Sequence, residues 1–99
     1  MYGLIGKIKA TPGHRDDLAA ILLRGTQDMP GCLSYIIALD PTDADALWIT
    51  EAWDNQASHK GSLGLPEVQE ALAAGRPLIA GFGERFETTP LGGVGLRLA

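Results

Sequence analysis

The residues with the clearest chemical potential lie in one stretch, 47–60, LWITEAWDNQASHK. It carries a carboxylate, an indole and an imidazole: Glu51, Trp53 and His59. Alternate side chains of an extended segment share a face, so Leu47, Ile49, Glu51 and Trp53 stand together. Asp54-Asn55 reads as a turn, with Asn55 the N-cap of a helix that places His59 about one turn in. An imidazole, with an unperturbed pKa of about 6.5, suits a general base. Glutamate is disfavoured inside strands, so Glu51 needs a reason to be there. It orients a base, or it pairs with Arg85 of the last strand. Trp53 is a candidate pocket wall, and Tyr35 and Phe82 are further candidate rings. Each also has a plainer reading. The histidine is then a capping or surface group, the glutamate half of a structural ion pair, and the rings core.

Other chemistries find little footing. The chain has two histidines, His14 and His59, and one cysteine, Cys32, none at metal-ligand spacing. Gly61-Ser62-Leu63-Gly64 lacks the frame of a hydrolase nucleophile elbow. Gly92, Gly93 and Gly95 do not complete a dinucleotide fingerprint, since Leu98 occupies the last glycine's place. No motif for nicotinamide, flavin or nucleotide is present. Catalysis is therefore expected to rest on acid–base groups and an apolar pocket, with no metal and no cofactor.

The elements that must position these residues follow from punctuation and period. Tyr2–Ala10 reads as a strand broken by Gly3 and Gly6, with Leu4 and Ile8 on one face. Thr11-Pro12 reads as a helix start. Leu18, Ile21, Leu22 and Gly25 then repeat at helical spacing. Pro30-Gly31 ends that segment, and Cys32–Leu39 is a second strand with Leu33, Tyr35, Ile37 and Leu39 on one face. The turn at 40–45, DPTDAD, is short enough to pair this strand with 47–53 as a hairpin. A helix begins near Asn55, breaks at Gly61, Gly64 and Pro66, and resumes over 66–74. The last strand, 78–88, places Ala80, Phe82, Glu84 and Phe86 on one face by strict alternation. Gly3 and Gly6 should neighbour Gly81 and Gly83. That clustering predicts either a gap, hence a pocket under the helices, or relief of crowding where the sheet coils. A glycine-broken tail, 89–99, ends the chain.

This order is α+β: a ferredoxin-like βαββαβ protomer with one antiparallel sheet and helices on one side. Residues 1–88 form the domain. Ile36, Ala38, Trp48 and Ala52 make the second face of the sheet apolar too, and that face needs a cover. The expected cover is a second copy of the chain, a homodimer, onto which the tail leucines Leu91, Leu96 and Leu98 reach.

At 99 residues the chain is one domain and buries about 60–65% of its unfolded surface. A net charge of −4 argues against nucleic acid or an anionic membrane as partner. Its apolar runs are too short to span a bilayer, and no leader-like segment follows Met1. A single cysteine fits a reducing, cytoplasmic setting.

Four short segments carry a family likeness. They are the opening strand into Thr11-Pro12-Gly13, the run Met29-Pro30-Gly31-Cys32-Leu33-Ser34-Tyr35, the triplet Glu51-Ala52-Trp53 followed by His59, and Thr89-Pro90-Leu91-Gly92-Gly93. In this order, over residues 2–96, the sequence resembles the antibiotic biosynthesis monooxygenase domain of the dimeric α+β barrel superfamily. The resemblance implies a barrel of two sheets and a pocket between sheet and helices in each protomer. It also implies oxidation of an aromatic or quinol-like small molecule by O₂ without metal, flavin or nicotinamide. His59 matches the family's frequent helix histidine and takes the role of base, with Glu51 beside it. Haem-degrading relatives place an Asn on the first strand and a His on the later helix, and neither Gly6-Lys7 nor 67–74 supplies one. A non-catalytic small-ligand-binding or stress-related dimer, and a polyketide cyclase or isomerase, are the rival functions.

Overall fold

The computed structural model describes residues 1–97, so Leu98 of the tail lies outside the described residues. Four strands, β1 (Tyr2–Ala10), β2 (Cys32–Leu39), β3 (Ala46–Trp53) and β4 (Ile79–Thr88), form one antiparallel sheet in the order β2-β3-β1-β4. Three helices, α1 (Arg15–Gly25), α2 (Gln56–Ser62) and α3 (Pro66–Gly75), cover one face. This is the ferredoxin-like α+β protomer that the element order predicts. Among the described residues no helix is long and apolar enough to cross a membrane.

α1 starts later than Thr11-Pro12 suggests. Gly13 adopts φ +83°, a conformation that glycine accepts readily and that cannot continue a right-handed helix. The His14 N–H closes a turn onto the Thr11 carbonyl at 3.0 Å, and the helix begins at Arg15. Asp16 and Asp17 then lie at its positive end and Arg24 at its negative end. Leu18 and Leu22 point to the sheet and pack on Ala10, Leu47 and Ile49. Leu18 and Leu47 lose all exposure, each worth about 1.5–3 kcal/mol of burial. A second cluster joins Met29, Trp53 and Val68 beneath α2 and α3.

β4 departs from strict alternation. Gly6 pairs with Arg85 and Ile8 with Phe82, so Gly83 and Glu84 together oppose Lys7. This β-bulge shifts the parity of the strand by one. Phe82 therefore joins Ile8 on the helix face, while Phe86 pairs with Ile5 on the open face. Alternation had placed the two rings together, and the inserted residue separates them. The clustered glycines also divide in use. A side chain at Gly6 would meet open space, whereas one at Gly83 would press on the Lys7 stem and one at Gly3 on Thr88 and Pro90.

The open face carries the row Ile36, Thr50, Ile5 and Phe86. Ile36 is 57% exposed and Phe86 53%. After β4 the chain returns to the far edge of the sheet, where the Arg97 N–H donates to the Leu33 carbonyl at 2.8 Å.

Candidate functional site

β3 sets the first two groups. Glu51 and Trp53 are two residues apart on the helix face, and the indole Nε1–H donates to Glu51 Oε1 at 3.0 Å. Trp53 is wholly buried. It lines neither hollow described below and reaches the carboxylate from behind.

α2 brings the imidazole. Asn55 accepts the Ser58 N–H at 2.8 Å, as its expected N-cap role requires. Gly31 anchors the start of this helix: its carbonyl accepts the Asp54 N–H at 2.9 Å, and its φ is +82°. A Cβ there would collide with Ser58, so the Pro30-Gly31 turn admits only glycine without distortion. With the helix so placed, the His59 ring sits edge-on to Trp53 at 5.6 Å and 70°. Its other side meets Tyr2 at the same ring separation of 5.6 Å. His59 Nε2 is 3.9 Å from Glu51 Oε1. The side chains are 16% and 15% exposed, so the pair is largely shielded from water.

Burial pushes the Glu51 carboxyl above the ordinary carboxylate value, with the Trp53 N–H and the His59 charge pulling back against it. Tyr35 lies directly across from Glu51 in β2. Burial, then the Glu51 charge, raises its phenol well above its usual value, so Tyr35 stays neutral. A shielded carboxyl with a raised pKa beside an imidazole is an arrangement able to accept and return a proton.

Two hollows meet at Glu51. The larger, about 250 Å³, lies among β1, β3 and β4 and is lined by Leu4, Gly6, Ile8, Ile49, Glu51, Phe82 and Arg85. The smaller, about 90 Å³, lies under the helices and includes Tyr35, Glu51, His59, Met29 and Leu72. The structure thus brings Glu51, Trp53, His59 and Tyr35 into one cluster. It sets Phe82 and Arg85 on the far wall of the larger hollow. The alternative pairing of Glu51 with Arg85 does not form within 4.0 Å; the imidazole is the group that reaches the carboxylate. Among the described residues no group of three or more His, Cys, Asp or Glu side chains is placed to hold a metal ion.

Sequence reasoning missed Tyr2. Its ring lies against His59 although the two are far apart in the chain, because β1 pairs with β3 so that Tyr2 faces Trp53. The Tyr2 hydroxyl donates to Glu87 Oε2 at 2.7 Å, which raises its pKa. The parity shared by Tyr2, Leu4 and Ile8 was the available signal.

A ferredoxin-like α+β sheet with a shielded acid–imidazole pair under its helices defines a class of small-molecule pocket protein. Within that class, the family model for antibiotic biosynthesis monooxygenase matches residues 1–74, and the chain belongs to that family. Membership gives a general monooxygenase-like role. Tyr35, Glu51, Trp53 and His59 lie inside the matched span, and Phe82 and Arg85 lie beyond it. A Chloroflexus aurantiacus J-10-fl protein, named for the same family, is 63% identical with a TM-score of 0.92, covering 96% of this chain and 97% of that one. A Deinococcus radiodurans protein of like name is 26% identical with a TM-score of 0.76, covering 95% and 96%. A Pseudomonas aeruginosa structure, 21% identical over 92% and 94%, shares the fold with a TM-score of 0.78. No curated protein matches the chain.

Proposed function

We propose that this protein is a cofactor-independent monooxygenase that oxidises an aromatic or quinol-like small molecule with O₂. The observation that carries the reading is the shielded Glu51–His59 pair, 3.9 Å apart, at the junction of two hollows. A phenolic substrate in the larger hollow gives its proton to this pair. The resulting anion is electron-rich, and the Arg85 guanidinium on the opposite wall steadies its charge. That anion reduces O₂ itself. A ring C–H becomes C–OH and the quinol becomes a quinone, so one oxygen atom enters the product and the other leaves as water. The substrate supplies all the electrons, so no outside reductant is consumed.

The protein acts as a homodimer in this reading, its open sheet face against that of its twin to form a dimeric α+β barrel. Half-exposed Ile36 and Phe86 in one row support that assembly, because a continuous apolar face is costly in water. Leu91 and Val94 of the tail are fully exposed and extend the same demand for cover toward the partner. The lone Cys32 and the acidic charge fit a cytoplasmic setting.

The test is oxygen uptake with a panel of hydroquinones and anthrones in the presence of a metal chelator. Uptake that His59→Ala and Glu51→Gln abolish is expected. Binding with no uptake by the native protein would favour a ligand-binding or stress-related dimer. Rearrangement of a polyketide without uptake would favour a cyclase. Light scattering should give the mass of two chains, and a stable monomer would remove the barrel.

A further inference from the structure

Phe82 separates two compartments of the helix-side surface. On one side is the hollow of about 250 Å³ that holds Glu51 and Arg85. On the other is a hollow of about 390 Å³ between β4 and the end of α3, lined by Leu72, Arg76, Ile79 and Gly81. Phe82 is the one lining residue common to both.

The ring stands there as a free rib. It is 76% exposed, so little of the core leans on it. The bulge at Gly83-Glu84 turns it to this face. Its chain neighbours, Gly81 and Gly83, have no side chains to thicken the wall, and a Cβ at Gly81 would meet open space. Removing this ring would therefore open the partition while leaving the fold in place.

Volume decides what the partition does. A cavity of about 150 Å³ accepts benzene, and pockets for larger organic ligands begin at about 300 Å³. The Glu51 compartment falls between these limits and suits one aromatic ring. Joined to its neighbour it would fall well inside the larger class.

We propose that Phe82 is a specificity-determining residue that restricts the Glu51 compartment to single-ring compounds by walling off the hollow beside α3. This rests on the reading that the compartment binds aromatic substrates, but not on their oxidation.

The experiment compares the native protein with Phe82→Ala and Phe82→Trp. Equilibrium dissociation constants are measured for hydroquinone, one ring, and anthrone, three fused rings, and oxygen uptake is followed in parallel. Phe82→Ala should improve affinity for anthrone relative to hydroquinone by about tenfold or more, with an unchanged melting temperature. Phe82→Trp should leave anthrone excluded. An unchanged ratio in Phe82→Ala overturns the proposal, as does absence of binding in every protein. A shifted ratio with no oxygen uptake anywhere would sink the monooxygenase and leave the partition standing. Uptake with an unchanged ratio would do the reverse.

Discussion

Two carboxylates, one in the turn before β3 and one within it, each accept a tryptophan N–H. Asp40 Oδ2 takes Trp48 Nε1 at 2.8 Å near one end, and Glu51 Oε1 takes Trp53 Nε1 at 3.0 Å near the other. Asp40 also accepts the Thr42 N–H, the Thr42 hydroxyl and the Asp43 N–H at 2.8–3.0 Å, with Lys7 Nζ at 3.5 Å. Those backbone donors hold it well below the usual carboxylate range. Glu51 receives the indole N–H and has His59 at 3.9 Å, and burial drives it upward. The same pairing of acid and indole makes a brace where donors saturate the oxygens and a proton-exchanging group where they do not. The number of donors separates them, not the residue type.

The comparison is breakable by substitution. The largest expected effect is Glu51→Gln, which should cut oxygen uptake about 10²–10⁴-fold while the melting temperature holds or rises. An equal loss from Asp40→Asn in a folded protein would erase the distinction. Asp40→Ala comes next. It leaves two backbone N–H groups and an indole N–H without their acceptor, so the urea midpoint should fall with per-molecule uptake retained. Trp53→Phe keeps most of the bulk and removes the N–H, costing about 1–3 kcal/mol. Since that N–H lowers the Glu51 pKa, the acid limb of the rate profile should move to higher pH. Lys7→Met is the smallest. It should lower the melting temperature slightly, by an amount that shrinks as salt rises.

Stability against pH sharpens the same contrast. The Asp40 pKa is depressed in the fold, so its contribution is present above the ordinary carboxylate pKa of about 4 and drains away as pH falls below it. The Glu51 pKa is raised, so its contribution is present below about 4 and is lost as pH rises through the folded value. Asp40→Asn should flatten the acid side of the melting curve series, and Glu51→Gln the side toward neutrality.

Much of this site was readable in the chain because its geometry is local. Parity sets Glu51 beside Trp53, and the Asn55 cap fixes where His59 falls. What escaped reading was set by pairing across strands. Tyr2 touches His59 only because β1 registers with β3; parity gives its face and not its partner. The faces of β4 were misread because a bulge is one extra residue, which the apolar pattern around Phe82 and Phe86 does not reveal. The start of α1 was misplaced because Thr11-Pro12 looks like a cap, while Gly13 holds a conformation that defers the helix.

The extra residue in β4 lets Phe82 and Arg85, three positions apart, line one chamber, which strict alternation forbids. Losing one codon at Gly83 would leave Glu84 alone opposite Lys7, with Phe82 still against Ile8 and Arg85 still against Gly6. The strand thus absorbs a change of length locally, and both walls keep their places. A Gly83 deletion variant that retains its ligand preference would demonstrate it.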